Sequence, residues 1–320
     1  MKKSLFSIGF AVLAMLASCS DKKEKTGNGS KTYLADAAKL HELLTSGDEP
    51  LQTFEVPSNK TSEITAKKGT FLRIDPSVFE TEDGQPLADK ISIGFREITQ
   101  APEFVFADIR TSSVNHKNTL AAGVYFLEAK SDGKTLRIKS GKALNIDFRR
   151  FSTKRMELFV SNRDSLQNMN WMPSNKSFKR VGNAKVVDDG EQYYMPMQIN
   201  RLGWIGCNVF NRTSYEFSGP ISFDFVSGIP DFAFGKAYLL VEGRDTTMAL
   251  ETDLFFKGKD DMMFTEVPTE GNALFVCTAI KQGKLFAFAS KVDLSDSKLP
   301  KVKFEQTTAK ELFAKIKALK

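Results

Sequence analysis

Two histidines, His41 and His116, and three cysteines, Cys19, Cys207 and Cys277, are all that the 320 residues offer for imidazole and thiol chemistry. That excludes His-rich metalloenzymes, Cys/His zinc frameworks and disulfide-dense small scaffolds. A Ser/His/Asp triad would have to run through one of the two histidines. His116 lies in Ser112-Ser113-Val114-Asn115-His116-Lys117-Asn118, a polar loop with no activating neighbour. His41 has no second ligand candidate beside it and reads as a half-buried helix residue. No His-Glu-x-x-His, Gly-x-Ser-x-Gly or Walker loop occurs. Ser131-Asp132-Gly133-Lys134-Thr135 contains Gly-Lys-Thr, but Glu128 stands where the first Walker glycine belongs, so the stretch reads as a hairpin turn. Asp188-Asp189, Asp260-Asp261 and the group Glu80, Glu82 and Asp83 occupy turn-like, exposed contexts. A catalytic acid needs burial to raise its pKa, and EF-hand spacing is absent. The expectation is a protein with no catalytic residues, no metal and no cofactor.

The thiol with the clearest chemistry is Cys19. Lys2 and Lys3 precede an apolar segment from Leu5 to Leu16 that is too short to span a bilayer. It ends in Leu16-Ala17-Ser18-Cys19, small residues before a Cys, which is the pattern of a bacterial lipobox. Leu16, Ala17 and Ser18 would be read by the signal peptidase, and Cys19 would carry acyl chains on its thiol and amine. Several chains, at ~0.8 kcal/mol per buried methylene, anchor stably where one does not. The plainer alternative is an ordinary signal peptide in which the Cys is incidental. Residues 20–32 hold no large apolar side chain and read as a flexible tether. The expected location is the cell envelope, lipid-anchored through Cys19 at the outer membrane, on either face.

The formal net charge is +6. Removing residues 1–18 takes away Lys2 and Lys3, so 43 basic residues face 39 acidic ones, a formal +4. No Lys/Arg run is interleaved with aromatics, so nucleic acid is not an expected partner. Trp171, in the polar stretch Asn170-Trp171-Met172-Pro173, is the best candidate for a stacking platform for a glycan, although a plug covering a sandwich edge is the favoured reading.

The elements that position these residues read as mainly β. Residues 33–50 form a short helix, with Leu34, Ala37, Ala38, His41 and Leu44 on one face and Gly47 as its stop. From Leu51 the period becomes two: Ile91, Ile93 and Phe95 alternate with polar residues, as do Leu144, Ile146 and Phe148. Residues 123–127 are apolar on both faces and suggest a central strand. Asp132-Gly133 marks a hairpin. These patterns predict a β-sandwich over 51–162, a connecting segment over 163–191 and a second β-sandwich over 192–306. A C-terminal helix over 307–320 is capped by Thr308 and Glu311 and carries the stripe Leu312, Phe313, Ile316 and Leu319. The 27 phenylalanines favour aromatic-packed β structure. Cys207 and Cys277 fall on apolar strand faces and are expected as buried thiols of the second sandwich, free in preference to bonded.

Several stretches together resemble a group of Bacteroidota lipoproteins. They are Gly69-Thr70-Phe71-Leu72-Arg73-Ile74 with Phe79 after it, Gly84-Gln85-Pro86 leading into Ile91-Ser92-Ile93-Gly94-Phe95-Arg96-Glu97, and residues 123–129. Met156-Glu157-Leu158-Phe159, Trp171 and Leu202-Gly203-Trp204-Ile205-Gly206-Cys207-Asn208-Val209-Phe210 complete the set. The resemblance covers most of 51–305. It implies a ZU5-like β-sandwich followed by an Ig-like or carboxypeptidase-regulatory-like β domain. Such chains carry a polar pair around the Cys, where this one has Gly206 and Asn208. ZU5 domains elsewhere mediate protein contacts, and some cleave themselves at His-Phe-Ser, which is absent here.

The expected function is therefore a lipid-anchored, non-enzymatic envelope protein presenting β-sandwich surfaces to a protein partner. The alternatives are a glycan-binding accessory lipoprotein acting through Trp171 and, further off, a carboxylate-based hydrolase.

Overall fold

The computed structural model describes residues 28–47, 49–113, 118–149, 156–174, 186–187, 192–210, 220–226, 231–243, 246–256, 263–265, 267–296 and 299–319. The expected lipidation and peptidase-recognition residues, Leu16, Ala17, Ser18 and Cys19, lie outside them, as do His116, Asp188-Asp189 and Asp260-Asp261.

The chain is mainly β, with a helix at each end. The first half supplies β1 (Gln52–Pro57), β2 (Ser62–Thr65), β3 (Phe71–Ile74), β4 (Phe79–Thr81), β5 (Lys90–Ile98), β6 (Thr119–Ser131), β7 (Lys134–Ile138), β8 (Leu144–Arg149), β9 (Glu157–Arg163) and β10 (Met169–Pro173). There follow β11 (Val186–Val187), β12 (Gln192–Ile199), β13 (Gly203–Phe210), β14 (Ile221–Ser222), β15 (Phe234–Glu242), β16 (Thr247–Leu254), β17 (Met263–Phe264), β18 (Asn272–Lys281), β19 (Lys284–Asp293) and β20 (Glu305–Gln306). The helices are α1 (Asn28–Thr45), α2 (Ala101–Phe106) and α3 (Ala309–Ala318).

One large sheet runs through both halves in the order β10-β9-β13-β6-β16-β15-β18-β19-β20, and β1-β5 and β4-β7 join it at β6. β6 makes this branching possible. Its first seven residues are all buried, so it behaves as a strand covered on both faces. One edge bonds β13 and then β7; the other bonds β5 and, through Ala121, Thr247 of β16. A second sheet, β11-β12-β8-β3-β2, packs on the first half. The expected boundary at residue 192 therefore does not divide the strand pairing. β12 is bonded to β8, and β13 to β6 and β9, all in the first half. A strand's neighbour is chosen by edge and face complementarity, which local periodicity does not carry.

Three apolar layers result. The helices cover one face of the large sheet, with Ala37, Leu40, Leu44, Phe104, Leu312 and Ile316 packed on Val124, Tyr238 and Val276. The five-stranded sheet covers the other face in the first half, around Ile93, Phe95, Ile146 and Phe148. In the second half that face carries a layer rich in phenylalanine, including Phe223, Phe225, Phe256 and Phe275, with Phe223 and Phe275 edge-to-face at 5.1 Å.

The local signals hold in detail. Asp132 and Gly133 adopt φ of 49° and 73°, the mirror-image turn that suits strand twist. The Thr308 hydroxyl accepts the Glu311 N–H at 3.2 Å, and the Glu311 carboxylate accepts the Thr308 N–H at 2.8 Å. α1 differs from expectation. It begins at Asn28, inside the expected tether, and buries Ala37, Leu40 and Leu44 while Leu34 and Ala38 face solvent. No sequence signal pointed to α2. No helix among the described residues is long and apolar enough to cross a membrane.

Cys207 and Cys277 are both buried and free. Cys207 sits not in the second unit but between the two sheets of the first half, whereas Cys277 sits in the phenylalanine-rich layer. Burial pushes both thiols far above the ordinary range, so neither supplies thiolate. Neither thiol should react with iodoacetamide in the native protein. Both should be modified after denaturation without reductant, and mass spectrometry of the peptides reads the result.

Candidate functional site

The densest concentration of chemistry lies under the helices. α2 ends in a tight reversal: Asp108 N–H bonds Val105 O at 3.1 Å and Ile109 N–H bonds Phe104 O at 2.8 Å. This is the helix-ending geometry that places a left-handed residue just past the cap. Asp108 fills that position at φ 52°, where glycine or asparagine is usual, and its side chain is wholly buried. A wholly buried charged residue in the left-handed region, which few side chains adopt, points to a role for its carboxylate.

That carboxylate is fully engaged. Its Oδ1 accepts from Lys236 Nζ at 2.8 Å and from the Tyr238 hydroxyl at 2.6 Å. His41 Nδ1 stands 2.8 Å from its Oδ2. Arg163 lies 3.9 Å from the same oxygen and donates to the Ala107 and Asp108 carbonyls, at 2.6 Å and 2.7 Å. The Arg163 guanidinium also lies over the Trp204 ring, 5.2 Å from its centroid.

Lys236 is the residue least expected where it is. It interrupts the apolar run of β15 and is 1% exposed, because the sheet is covered on both faces there. Its three protons go to Asp108, to Asn168 Oδ1 at 2.9 Å and to Glu251 Oε1 at 3.3 Å. The pairing register sets Lys236 opposite Asp253 and Tyr238 opposite Glu251, so β15 and β16 bring both acids to one ammonium. Asn168, presented by the β9–β10 turn, donates to Asp253 Oδ2 at 2.9 Å.

The electrostatics are lopsided. Burial alone would raise the Asp108 carboxyl, but Lys236, His41 and Arg163 hold it well below the ordinary range. Burial pushes Glu251 up to about 7, against the pull of Lys236 and with Asp108 and Asp253 adding to the rise. Asp253 is raised for the same first reason. Burial would lower Lys236, yet the three acids outweigh it and raise it. Burial, with the neighbouring carboxylates, lifts Tyr238 far above its usual range, so it remains a phenol that donates. Glu251 Oε2 and Asp253 Oδ1 are buried with no hydrogen-bond partner. Glu97, another buried acid, shows the contrast. It accepts from Lys68 N–H at 2.7 Å, Thr70 N–H at 3.2 Å and Gln52 Nε2 at 3.3 Å, and simply ties down the β2–β3 turn.

The structure thus places the sequence candidates unevenly. His41 does gain a partner, 67 residues away. Trp171 is corrected. It is 0% exposed and its indole N–H donates to Arg110 O at 2.6 Å, so it is a plug in the helix-covered core and offers no face to a sugar. Glu80 is paired with Arg137 at 2.8 Å and Asp83 with Lys134 at 3.0 Å. The hydrogen bond from Lys134, with those of Thr81 and Gln85, lowers Asp83 to about 2, the opposite of a catalytic acid. Sequence reasoning missed Asp108, Lys236, Glu251 and Asp253. The available signal was a lysine within a strand apolar on both faces, since lysine is rarely buried unpaired.

Among the described residues, no group of three or more His, Cys, Asp and Glu is arranged to hold a metal ion. At the centre of the buried acids stands the Lys236 ammonium. The cluster can join α1, α2, the β9–β10 turn and β15–β16, and it can store a proton.

A separate, open groove of about 510 Å³ lies at the turns of the first half. Asn59, Thr61, Asp75, Ser77, Gln85 and Lys139 give it a hydrogen-bonding rim, and Pro76, Pro86 and Leu87 an apolar part. Asp75 Oδ1 accepts the Ser77 N–H at 3.0 Å and Lys139 Nζ donates to Ser77 O at 2.9 Å, which shapes the wall. It shares no residue with the buried cluster. No family model matches the chain, and neither does any curated protein or solved structure.

Proposed function

We propose that this chain is a lipid-anchored, non-enzymatic protein of the cell envelope, held at the outer membrane through Cys19, whose β-sandwich surfaces engage a protein partner. The observation that carries the reading is the separation of charge from opening. Asp108, Lys236 and Glu251 are committed to one another in the interior, while the groove offers hydroxyls, amides and apolar turns suited to recognition. Leu16-Ala17-Ser18-Cys19 supports the anchor. The glycan reading rested on Trp171 and is not carried forward.

Crosslinking in native envelopes tests the partner. Wild type is expected to yield one stoichiometric adduct that is lost in Lys139→Glu with Asn59→Arg; repeated recovery of no adduct would sink the proposal. Cys19→Ala tests the anchor. The variant is expected to lose acyl label and detergent-phase partitioning, because Cys19 supplies the attachment. Unchanged labelling would remove the lipoprotein reading and the location with it.

A further inference from the structure

We propose that the buried carboxyls of Glu251 and Asp253, with the Lys236 ammonium and the Asp108 carboxylate, form a proton-operated latch that holds α1 against the sheet. The geometry favours a stored proton. Asp108, Glu251 and the half-buried Asp253 face one ammonium, whose three protons are spent on Asp108, Asn168 and Glu251. Arg163, the next cation, directs three N–H bonds to the carbonyls of Ala107, Asp108 and Gln167. Glu251 Oε2 and Asp253 Oδ1 face no donor. A proton on this pair removes a charge that the dry interior cannot solvate.

The groups facing Glu251 are Lys236 and Tyr238 from β15, Asp253 from β16, Arg163 from β9, and Asp108 and Arg110 from the segment after α2. α1 contributes His41, which reaches the cluster through Asp108; its Lys39 and Glu42 pair with each other outside. The β-strand members are locked in the large sheet. His41, 23% exposed, is the member carried on a helix at the surface. Tyr33 of α1 also packs on Phe255, two residues past Asp253, with ring centroids 5.3 Å apart. α1 packs on β15 and β18 and carries His41 to Asp108, so its undocking is the opening proposed to admit water to the cluster.

The sign follows from linkage. With α1 docked, Glu251 keeps its proton up to about pH 7; with α1 lifted and the acid wetted, it titrates near its ordinary value of 4.5. The docked state binds more protons across that window, so rising pH favours opening. Asp253 acts in the same direction, whereas Asp108, held low, and Lys236, held high, change charge outside the window. Resting on the anchored reading, the latch has a use: an undocked α1 adds 18 residues of leash, at most about 65 Å of reach at ~3.3–3.6 Å per residue.

Native-state hydrogen exchange on the full chain, corrected for intrinsic rates, tests it at about pH 5 and about pH 7.5. Protection of the α1 amides over 37–45 is expected to fall about tenfold or more, while that of β18 and β19 holds. Glu251→Gln should flatten the dependence. His41→Leu, which removes the bond from α1 to Asp108 and leaves Glu251 in place, should lower α1 protection at both pH values while the dependence remains. In wild type, α1 protection that does not change with pH or an equal loss across β18 and β19 would overturn the latch, as would a dependence that persists in folded Glu251→Gln or α1 protection that His41→Leu leaves untouched. Acyl labelling of Cys19 is read separately, so a missing label with the exchange pattern intact removes only the leash role.

Discussion

Asp108→Ala is expected to destabilise the protein by about 3–5 kcal/mol, the range for breaking a buried ion pair from one side. The substitution strands the Lys236 ammonium, the Tyr238 hydroxyl and His41 around an empty position, and leaves Lys236 with acids that themselves prefer to be protonated. The Cβ at φ 52° is already present in the wild type, so alanine keeps that backbone strain without adding to it. Two further variants separate these contributions. Asp108→Gly relieves the backbone yet keeps the stranded cation. Asp108→Asn preserves shape and tolerance of the left-handed region but removes the charge. Urea midpoints at neutral pH, compared at equal slope, should place alanine lowest and glycine close above it, with asparagine the mildest of the three. If the alanine variant fell within about 1 kcal/mol of wild type, the cluster would not be holding these elements together.

Glu251→Gln is expected to reshape the pH dependence of stability. The folded carboxyl titrates at about 7 against an ordinary 4.5, so the group's stabilising share is fully present below 4.5 and is lost as pH rises toward 7. At one pKa unit per 1.36 kcal/mol, the loss across that window is on the order of 2–3 kcal/mol. Asp108 runs the other way. Its folded pKa is depressed, so its contribution exists above its ordinary 3.8 and disappears as pH falls below that. Wild type should therefore lose stability from about pH 4.5 to about pH 7.5, and Glu251→Gln should lose clearly less. Denaturant unfolding at both pH values gives the comparison. A variant curve parallel to wild type would mean that Glu251 is ionised in the folded protein.

Parts of this molecule were legible from residue order because they depend on neighbours within a few positions. Ile91, Ile93 and Phe95 bury as their alternation predicts, since successive side chains of a strand point to opposite faces. Asp132-Gly133 turns the chain as its tolerance of positive φ requires, and Thr308 with Glu311 caps α3 through bonds made three residues apart. The phenylalanine content anticipated an aromatic layer without indicating that it would gather on one face of the second half. Trp171 takes the plug reading and not the platform one. Its polar neighbours allowed either, and the choice fell to tertiary structure, because β10 pairs with β9 under the helices and the ring turns inward.

The residue order alone determined the mainly β character, the terminal helices and the apolar setting of Cys207 and Cys277. Tertiary structure decided what the charged residues do. Asp108 and Lys236 meet across 128 positions, and Glu251 joins them only because β16 lies beside β15 in one register. Asp108 and Glu251 look locally like surface residues, since a carboxylate is soluble wherever water reaches it, and only Lys236, inside an apolar strand, carries a local signal. Their role comes from being enclosed by α1, α2 and the sheet. Enclosure removes water, makes each depend on the others for its charge, and is a property of the assembled layers that no short stretch of the chain contains.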